Sequence, residues 1–332
     1  MFAISTHKRS WTFSSIQQLQ QMRTAANSAF IDKYKPYIES PEQLKVFFTP
    51  DEEQLLCRVV SDAGLRFGHD FQPTLPPAVR WIAFMYYKRF FLKCSVHEYT
   101  PKNVMMACYF LATKVDEFNI STKLFVKNLK SGNAESNAEF ILKLEPKVME
   151  VLDYHLTIHS PYRPFEGHLI EFQTRTALKF DIDKVRRGAY FFFDRALLTD
   201  AMLLFVPTQI ALAALKYGIE TVDMSVDVLK DFFYKFLDLD QWNSREEDKE
   251  TQGFFHLFYV KYINAIHFFR LEKLMARIDE ISKIILEQSN ETDKVKVKAL
   301  QEKARAFESF YRNLDQRTDI SNDASTLSDD SD

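Results

Sequence analysis

The sequence predicts an all-α protein, and three observations predict it. Only 7 Gly and 11 Pro occur among 332 residues, too few turn-formers for the many short strands of a sandwich or barrel. Apolar residues recur at steps of three and four along most of the chain, the spacing that lays one stripe along a helix. Several stripes begin behind a Ser or Thr with a proline, Glu or Gln close after it, the chemistry that starts helices. The length exceeds the roughly 100 to 200 residues usual for one domain, so two are expected.

Taken in order, Ile16, Leu19, Met22, Ala26 and Phe30 form a stripe behind Ser15 and Gln18, a candidate capping box. Thr49, Pro50 and Glu52 supply an N-cap, a first-turn proline and a capping acid for a helix from Asp51 toward Phe67, closed by the run Pro73, Pro76 and Pro77. A helix is expected from Ala78 to Lys93, another from Thr100 and Pro101 to Asp116, a short one over Lys123 to Leu129, and a fifth over Ala138 to Leu156. Ser160 to Phe165, with Pro161 and Pro164, has the composition of a linker.

The pattern then repeats. At an offset of 106 residues MYYKRFFL from Met85 matches FFFDRALL from Phe191 in character, Arg89 falls on Arg195, Pro101 on Pro207, Val104 on Ile210, Ala107 on Ala213 and Cys108 on Ala214. Small residues let a central helix be approached closely on all sides, so each copy is expected to wrap around its third helix. Further on, Leu274, Ile278, Ile281 and Ile285 mark one more helix over Lys273 to Leu286, and Val295 to Leu314 another. The expected organisation is an N-terminal segment and helix (1–48), two five-helix repeats (49–159 and 160–270), C-terminal helices (271–314) and a disordered acidic tail (315–332).

Composition excludes several functions. The net charge of -3, with both signs interleaved, argues against a nucleic-acid or anionic-membrane surface. Cys57, Cys94 and Cys108 are three and far apart, neither a disulfide framework nor a zinc site, and suit a reducing compartment. The N-terminus lacks the apolar core of a secretory signal, and Ala201 to Leu215 is too short and too polar at Pro207, Thr208 and Gln209 to span a bilayer, so a soluble protein is expected. No phosphate-binding glycine loop, nucleophile elbow or zinc-protease motif occurs, so no catalytic residue and no cofactor is expected. His155, His159, Glu166 and His168 could be drawn as a metal cluster, but Pro161 and Pro164 break any shared helix, and polar residues around a linker is the better reading.

Two charged residues stand where apolar ones belong. Lys114 lies on the stripe Ala107, Leu111, Lys114, Phe118, and Glu145 interrupts Ile141, Val148 and Leu152. A lone buried charge of either sign is costly, so the two could pair; equally, Lys114 could snorkel to water with Glu145 at a helix edge. Spacing does not choose between these. Pro146, directly after Glu145, removes a backbone hydrogen bond and is expected to kink its helix.

The segments MYYKRFFLKCSV (Met85 to Val96) and CYFLATKVDEF (Cys108 to Phe118) resemble the cyclin box, a five-helix unit that cyclins carry twice. SWTFSS at Ser10 to Ser15, YHL at Tyr154 to Leu156, HSPYRPFEG at His159 to Gly167, LTDAMLL and PTQIALAAL are similar to the cyclins of the CDK-activating kinase. The resemblance implies a nuclear, non-catalytic regulatory subunit whose partners are a cyclin-dependent kinase, a RING-finger assembly factor and TFIIH. The substrates it implies are kinase activation loops and the RNA polymerase II C-terminal domain. It also implies that Lys114 and Glu145 anchor the αC helix of the kinase, with Leu111, Val115, Met149, Tyr154 and Leu156 lining an apolar pocket beside them. LLCRVV at Leu55 to Val60 does not reproduce the substrate-docking motif of cell-cycle cyclins. A Mediator cyclin of the C type would differ in the segment where SWTFSS stands, and a TFIIB-type factor would bring ribbon cysteines and a basic excess that this chain lacks.

Overall fold

Proline punctuates the helices. In the computed structural model, which describes residues 2–175, 181–222, 226–236 and 254–326, helices α1 (Thr6–Trp11), α2 (Ile16–Tyr34) and α3 (Pro41–Leu44) are followed by α4 (Pro50–Asp70), α5 (Pro77–Phe90) and α6 (Pro101–Val115). Then come α7 (Thr122–Lys127), α8 (Ala134–Val151), α9 (Tyr162–Arg175), α10 (Ile182–Leu197), α11 (Ala201–Leu204), α12 (Pro207–Glu220), α13 (Val226–Phe236), α14 (Phe254–Gln288) and α15 (Lys294–Thr326). The helices α4, α5, α6 and α12 all open on a proline, whose missing N–H would have no helical acceptor there anyway. Thr49 completes the expected capping box at α4: its hydroxyl accepts from the Glu52 N–H while Glu52 accepts from the Thr49 N–H at 2.7 Å. No strand occurs among the described residues.

The chain forms two compact units. One comprises Ser15–Leu75, Ile82–Leu156 and Glu291–Asp332; the other comprises Met1–Ser14, Pro76–Trp81 and Thr157–Asn290. In the first, α6 is the central helix, with Val104, Met105, Ala107, Cys108, Tyr109 and Ala112 fully buried against α4 and α8. In the second, α12 holds that place among α9, α10, α13 and α14, with Ala211, Ala213, Ala214 and Leu215 fully buried. The helix starts at Pro101 and Pro207, 106 residues apart, are therefore the same position in two copies.

Three expectations are adjusted. The linker at Ser160 to Phe165 is shorter than its composition suggests, because α9 begins at Tyr162 and takes Pro164 into its first turn, where a missing N–H costs nothing. The helix expected to reach Leu156 ends at Val151, and the residues after it form a turn. The backbone of 315–326 continues α15 instead of beginning a disordered tail, because extending an existing helix is far easier than nucleating one; residues 327–332 lie outside the described residues. The two C-terminal helices also belong to different units. Ile278, Ile281 and Ile285 of α14 are fully buried in the second, whereas α15 packs on α4 in the first.

On that face of α4, Phe30 and Tyr34 from α2 meet Phe47, Phe48, Leu300 and Phe307 in one aromatic cluster. The Tyr34 and Tyr311 hydroxyls are 2.9 Å apart, and Lys303 reaches Glu52 at 2.7 Å. The first unit is thus closed by helices from both ends of the chain.

Candidate functional site

The site grows out of the ends of α6 and α8. Both helices finish with a Schellman arrangement in which a non-glycine residue adopts the left-handed conformation. At α6, Phe118 N–H donates to Thr113 O at 2.8 Å and Glu117 N–H to Lys114 O at 3.2 Å, with Glu117 at φ 57°. At α8, Tyr154 N–H donates to Met149 O and Asp153 N–H to Glu150 O, both at 2.9 Å, with Asp153 at φ 52° and Tyr154 itself at φ 58°. Side-chain crowding makes this region cost about 1–2 kcal/mol for a residue with a Cβ. Among the described residues, these three are the non-glycine positions with positive φ.

Between the two helix ends lies the charged pair. Lys114 Nζ stands 2.7 Å from both Glu145 carboxylate oxygens and 4.4 Å from the centre of the Phe110 ring. The partners are unequally exposed, 48% for the Lys114 side chain and 10% for that of Glu145, so the ammonium faces outward over a carboxylate that water barely reaches. Of the two readings open from spacing, pairing is the one realised, and the lysine still keeps an exposed head. Pro146 does not prevent it: α8 runs through Pro146, which lies on the exposed side where the Leu142 carbonyl it leaves unbonded can turn to solvent. Removing Lys114 would leave Glu145 buried and under-satisfied, a cost of about 1–3 kcal/mol.

The five apolar residues expected beside the pair are not alike. Leu111 is 3% exposed and belongs to the core, so it can form the floor of a contact surface but not its wall. Val115, Met149 and Leu156 are half-buried, whereas Tyr154 is 68% exposed. Leu142, one turn before Glu145, is 48% exposed and adds an apolar group that spacing alone did not single out. The result is a surface with a half-exposed ammonium, a shielded carboxylate, and apolar side chains on the two helix ends. Such a surface can grip a peptide segment by donating to its carbonyls and accepting from its N–H groups, and can seat an apolar side chain next to them.

Two of the residues drawn as a possible metal cluster have other occupations. Glu166 is bonded to Arg186 through both oxygens, at 3.1 and 3.2 Å. The His159 N–H donates to His7 Nδ1 at 3.2 Å and the two rings stack. Burial holds the His159 ring below the usual histidine range. Among the described residues, no three His, Cys, Asp or Glu side chains are grouped to hold a metal ion, and no helix is long and apolar enough to cross a membrane.

One polar cluster escaped the sequence reading. Glu53, Ser95 and His97 are buried together: His97 Nδ1 lies 2.9 Å from Glu53 Oε1 and 2.8 Å from Ser95 Oγ, and the Ser95 hydroxyl donates to the same carboxylate. The residue types are those of a nucleophile, a base and an orienting acid, but the connections differ. His97 Nε2 accepts the Phe48 N–H at 2.7 Å, so that nitrogen is committed to the backbone. The His97 ring stacks on Phe30 at 5.0 Å and meets Phe307 edge-on at 4.8 Å. This cluster therefore ties α2, α4 and α15 together. A sequence signal did exist, because Glu53 shares a helix face with Leu56 and Val60, the same kind of interruption that marks Lys114 and Glu145.

Residues 72–157 match the model of the cyclin N-terminal domain and residues 160–286 that of a cyclin C-terminal domain. The chain belongs to the cyclin family. Within that family it is similar to cyclin-H of Xenopus laevis, 40% identical over 218 residues that cover 65% of this chain and 67% of that one. It is also 30% identical over 188 residues to cyclin-H1-1 of Arabidopsis thaliana, covering 55% of this chain and 51% of that protein. Among solved structures, a chain of the CAK complex of Chaetomium thermophilum shares the fold, with a TM-score of 0.70 at 20% identity over 91% of this chain and 87% of that one.

Proposed function

We propose that this chain is the regulatory cyclin of a CDK-activating kinase: it docks against the αC helix of a cyclin-dependent kinase and holds that helix in its active position. The observation that carries the reading is the Lys114 and Glu145 pair at 2.7 Å, half-exposed at its cationic end, with Leu142 and Met149 one turn either side of Glu145 on α8 and Tyr154 exposed in the turn after it. Phosphoryl transfer in a kinase requires the β3 lysine and the αC glutamate to be paired. A protein that binds only the arrangement in which they are paired shifts the kinase toward it. The cyclin contributes position, and every group that touches the phosphate belongs to the kinase. Similarity to cyclin-H proteins supports a nuclear assembly that includes a RING-finger factor and works within TFIIH, acting on kinase activation loops and on the RNA polymerase II C-terminal domain. A Mediator cyclin of the C type is the second reading; the SWTFSS segment at Ser10 to Ser15 favours the first.

The test is reconstitution. The recombinant chain is mixed with the recombinant catalytic subunit of a CDK-activating kinase, and phosphate transfer to a polymerase C-terminal-domain peptide is followed. The chain by itself is expected to transfer none, the kinase by itself little, and the mixture far more. If the kinase gains nothing from the chain at saturating concentration, the reading is wrong.

A further inference from the structure

We infer that Arg89, a residue outside the surface described above, is the positioning residue for its Tyr154 edge. This inference rests on the proposed kinase-binding role of that surface. The turn after α8 holds two successive non-glycine residues in the left-handed region, Asp153 and Tyr154. Such a backbone persists only when its surroundings over-determine it. The surroundings here are one face of α5 and the residues just beyond it. Tyr86 donates its hydroxyl to Leu156 O at 2.6 Å, Arg89 donates Nη1 to His155 O at 3.2 Å, and Lys93 reaches Asp153 Oδ2 at 2.6 Å. Tyr86 and Arg89, three apart, share one side of α5, and Lys93 follows in the turn after it. Each tethers one residue of the turn. Tyr154, between the tethered residues, is the one whose ring is presented to solvent, 68% exposed.

Arg89 is the tether that the core bears at greatest cost. It is fully buried, and burial pushes its guanidinium pKa down to about 9, with Tyr86 working the other way. A cation kept in an apolar core to bond a backbone carbonyl is poor economy for stability alone. The equivalent arginine of the second copy also bonds a backbone carbonyl, from a half-buried position. Arg195, 106 residues on, donates to Leu286 O at 3.2 Å and to Ser289 Oγ at 2.7 Å, fixing the end of α14 as Arg89 fixes the turn after α8. In the first copy alone, among the described residues, the fixed segment carries an aromatic side chain in the left-handed conformation. The rigid turn lets Tyr154 meet a partner helix without an ordering cost at the moment of binding.

The test uses the full chain with Arg89→Met, Tyr154→Ala, the double variant, and Tyr86→Phe as a milder removal of a neighbouring tether. In the free chain, amide hydrogen exchange is expected to speed up at Asp153 to Leu156 while α4 and α6 keep wild-type protection. Against the recombinant catalytic subunit of a CDK-activating kinase, Arg89→Met should weaken binding about tenfold and Tyr86→Phe less, and Arg89→Met should add under about twofold once Tyr154 is Ala. Exchange that rises uniformly over the first unit, or equal losses of affinity with and without Tyr154, would make Arg89 an ordinary core residue and overturn the inference. Lys114→Ala separates the two levels of argument. If it leaves kinase binding intact, the kinase reading fails and this inference with it; if it abolishes binding while Arg89→Met does not weaken it, only this inference falls.

Discussion

Each repeat carries a charged contact on its third helix, and the two build it in opposite senses. In the first, the carboxylate of Glu145 is sheltered and the Lys114 ammonium is half-exposed. In the second, the offset of 106 puts Glu220 where Lys114 stands and Lys216 where Phe110 stands. There the ammonium is the sheltered member, 14% exposed, and it is bonded to Glu220 Oε1 at 2.9 Å and Asp279 Oδ1 at 3.1 Å. Burial works against the charge on Lys216, but the bonds from Glu220 and Asp279 outweigh it and raise its pKa. One copy thus ends in a closed knot that satisfies itself. The other offers a cation with bonding capacity left over, beside a helix end strained at Glu117 and another at Asp153 and Tyr154. The lesson is that a duplicated fold keeps its packing and reassigns its polar positions, closing one set on itself and leaving the ammonium of the other half-exposed.

The comparison breaks most readily at the pair itself. Changing Lys114 or Glu145 to Ala should weaken kinase association by roughly 2 to 5 kcal/mol, the usual cost of truncating one member of a shielded charge pair. A titration against the kinase subunit reads this directly, and wild-type affinity in both variants would remove the contrast between the repeats.

A smaller effect sharpens the packing side. Gly218 occupies on α12 the place Ala112 has on α6, yet a Cβ at Gly218 would clash with the Val185 carbonyl. Gly218→Ala is therefore expected to lower stability by about 1–3 kcal/mol even though the first repeat carries alanine there. Denaturant unfolding measures it, and an unchanged midpoint would show that α10 and α12 have room to separate.

The smallest effect concerns the knot. Lys216→Met should cost about 1 kcal/mol near neutral pH, by leaving two half-exposed carboxylates without their cation, and should leave kinase binding unaltered. Because the folded pKa of Lys216 is raised, its stabilising contribution is fully present below the unfolded value near 10.4 and disappears as pH climbs through the folded value. The gap in melting temperature between wild type and variant should therefore close in alkaline buffer. A gap that widens with pH would mean the sign of this argument is wrong.

Much of the fold is legible in the chain because helix starts are written locally. Thr49, Pro50 and Glu52 announce α4, and Pro101 and Pro207 announce the central helices. Helix ends are less legible. The left-handed turn at Asp153 and Tyr154 stops α8 five residues before the expected end, and the carbonyls that follow it are bonded by Tyr86 and Arg89, 70 and 66 residues away in sequence, contacts that local composition does not display. The continuation of α15 past Leu314 was hidden for the opposite reason: an acidic, apolar-poor segment does not nucleate a helix but can extend one.

By itself, the sequence determined the helical class, the doubled unit and the two charges that break their stripes, because periodicity and capping are carried by neighbouring residues. Only the tertiary structure decided that Lys114 meets Glu145, which of the two faces water, and that Glu53, Ser95 and His97 close into a clamp between α2, α4 and α15. Burial and pairing are properties of what surrounds a side chain, and those surroundings come from segments 31 to more than 200 residues away.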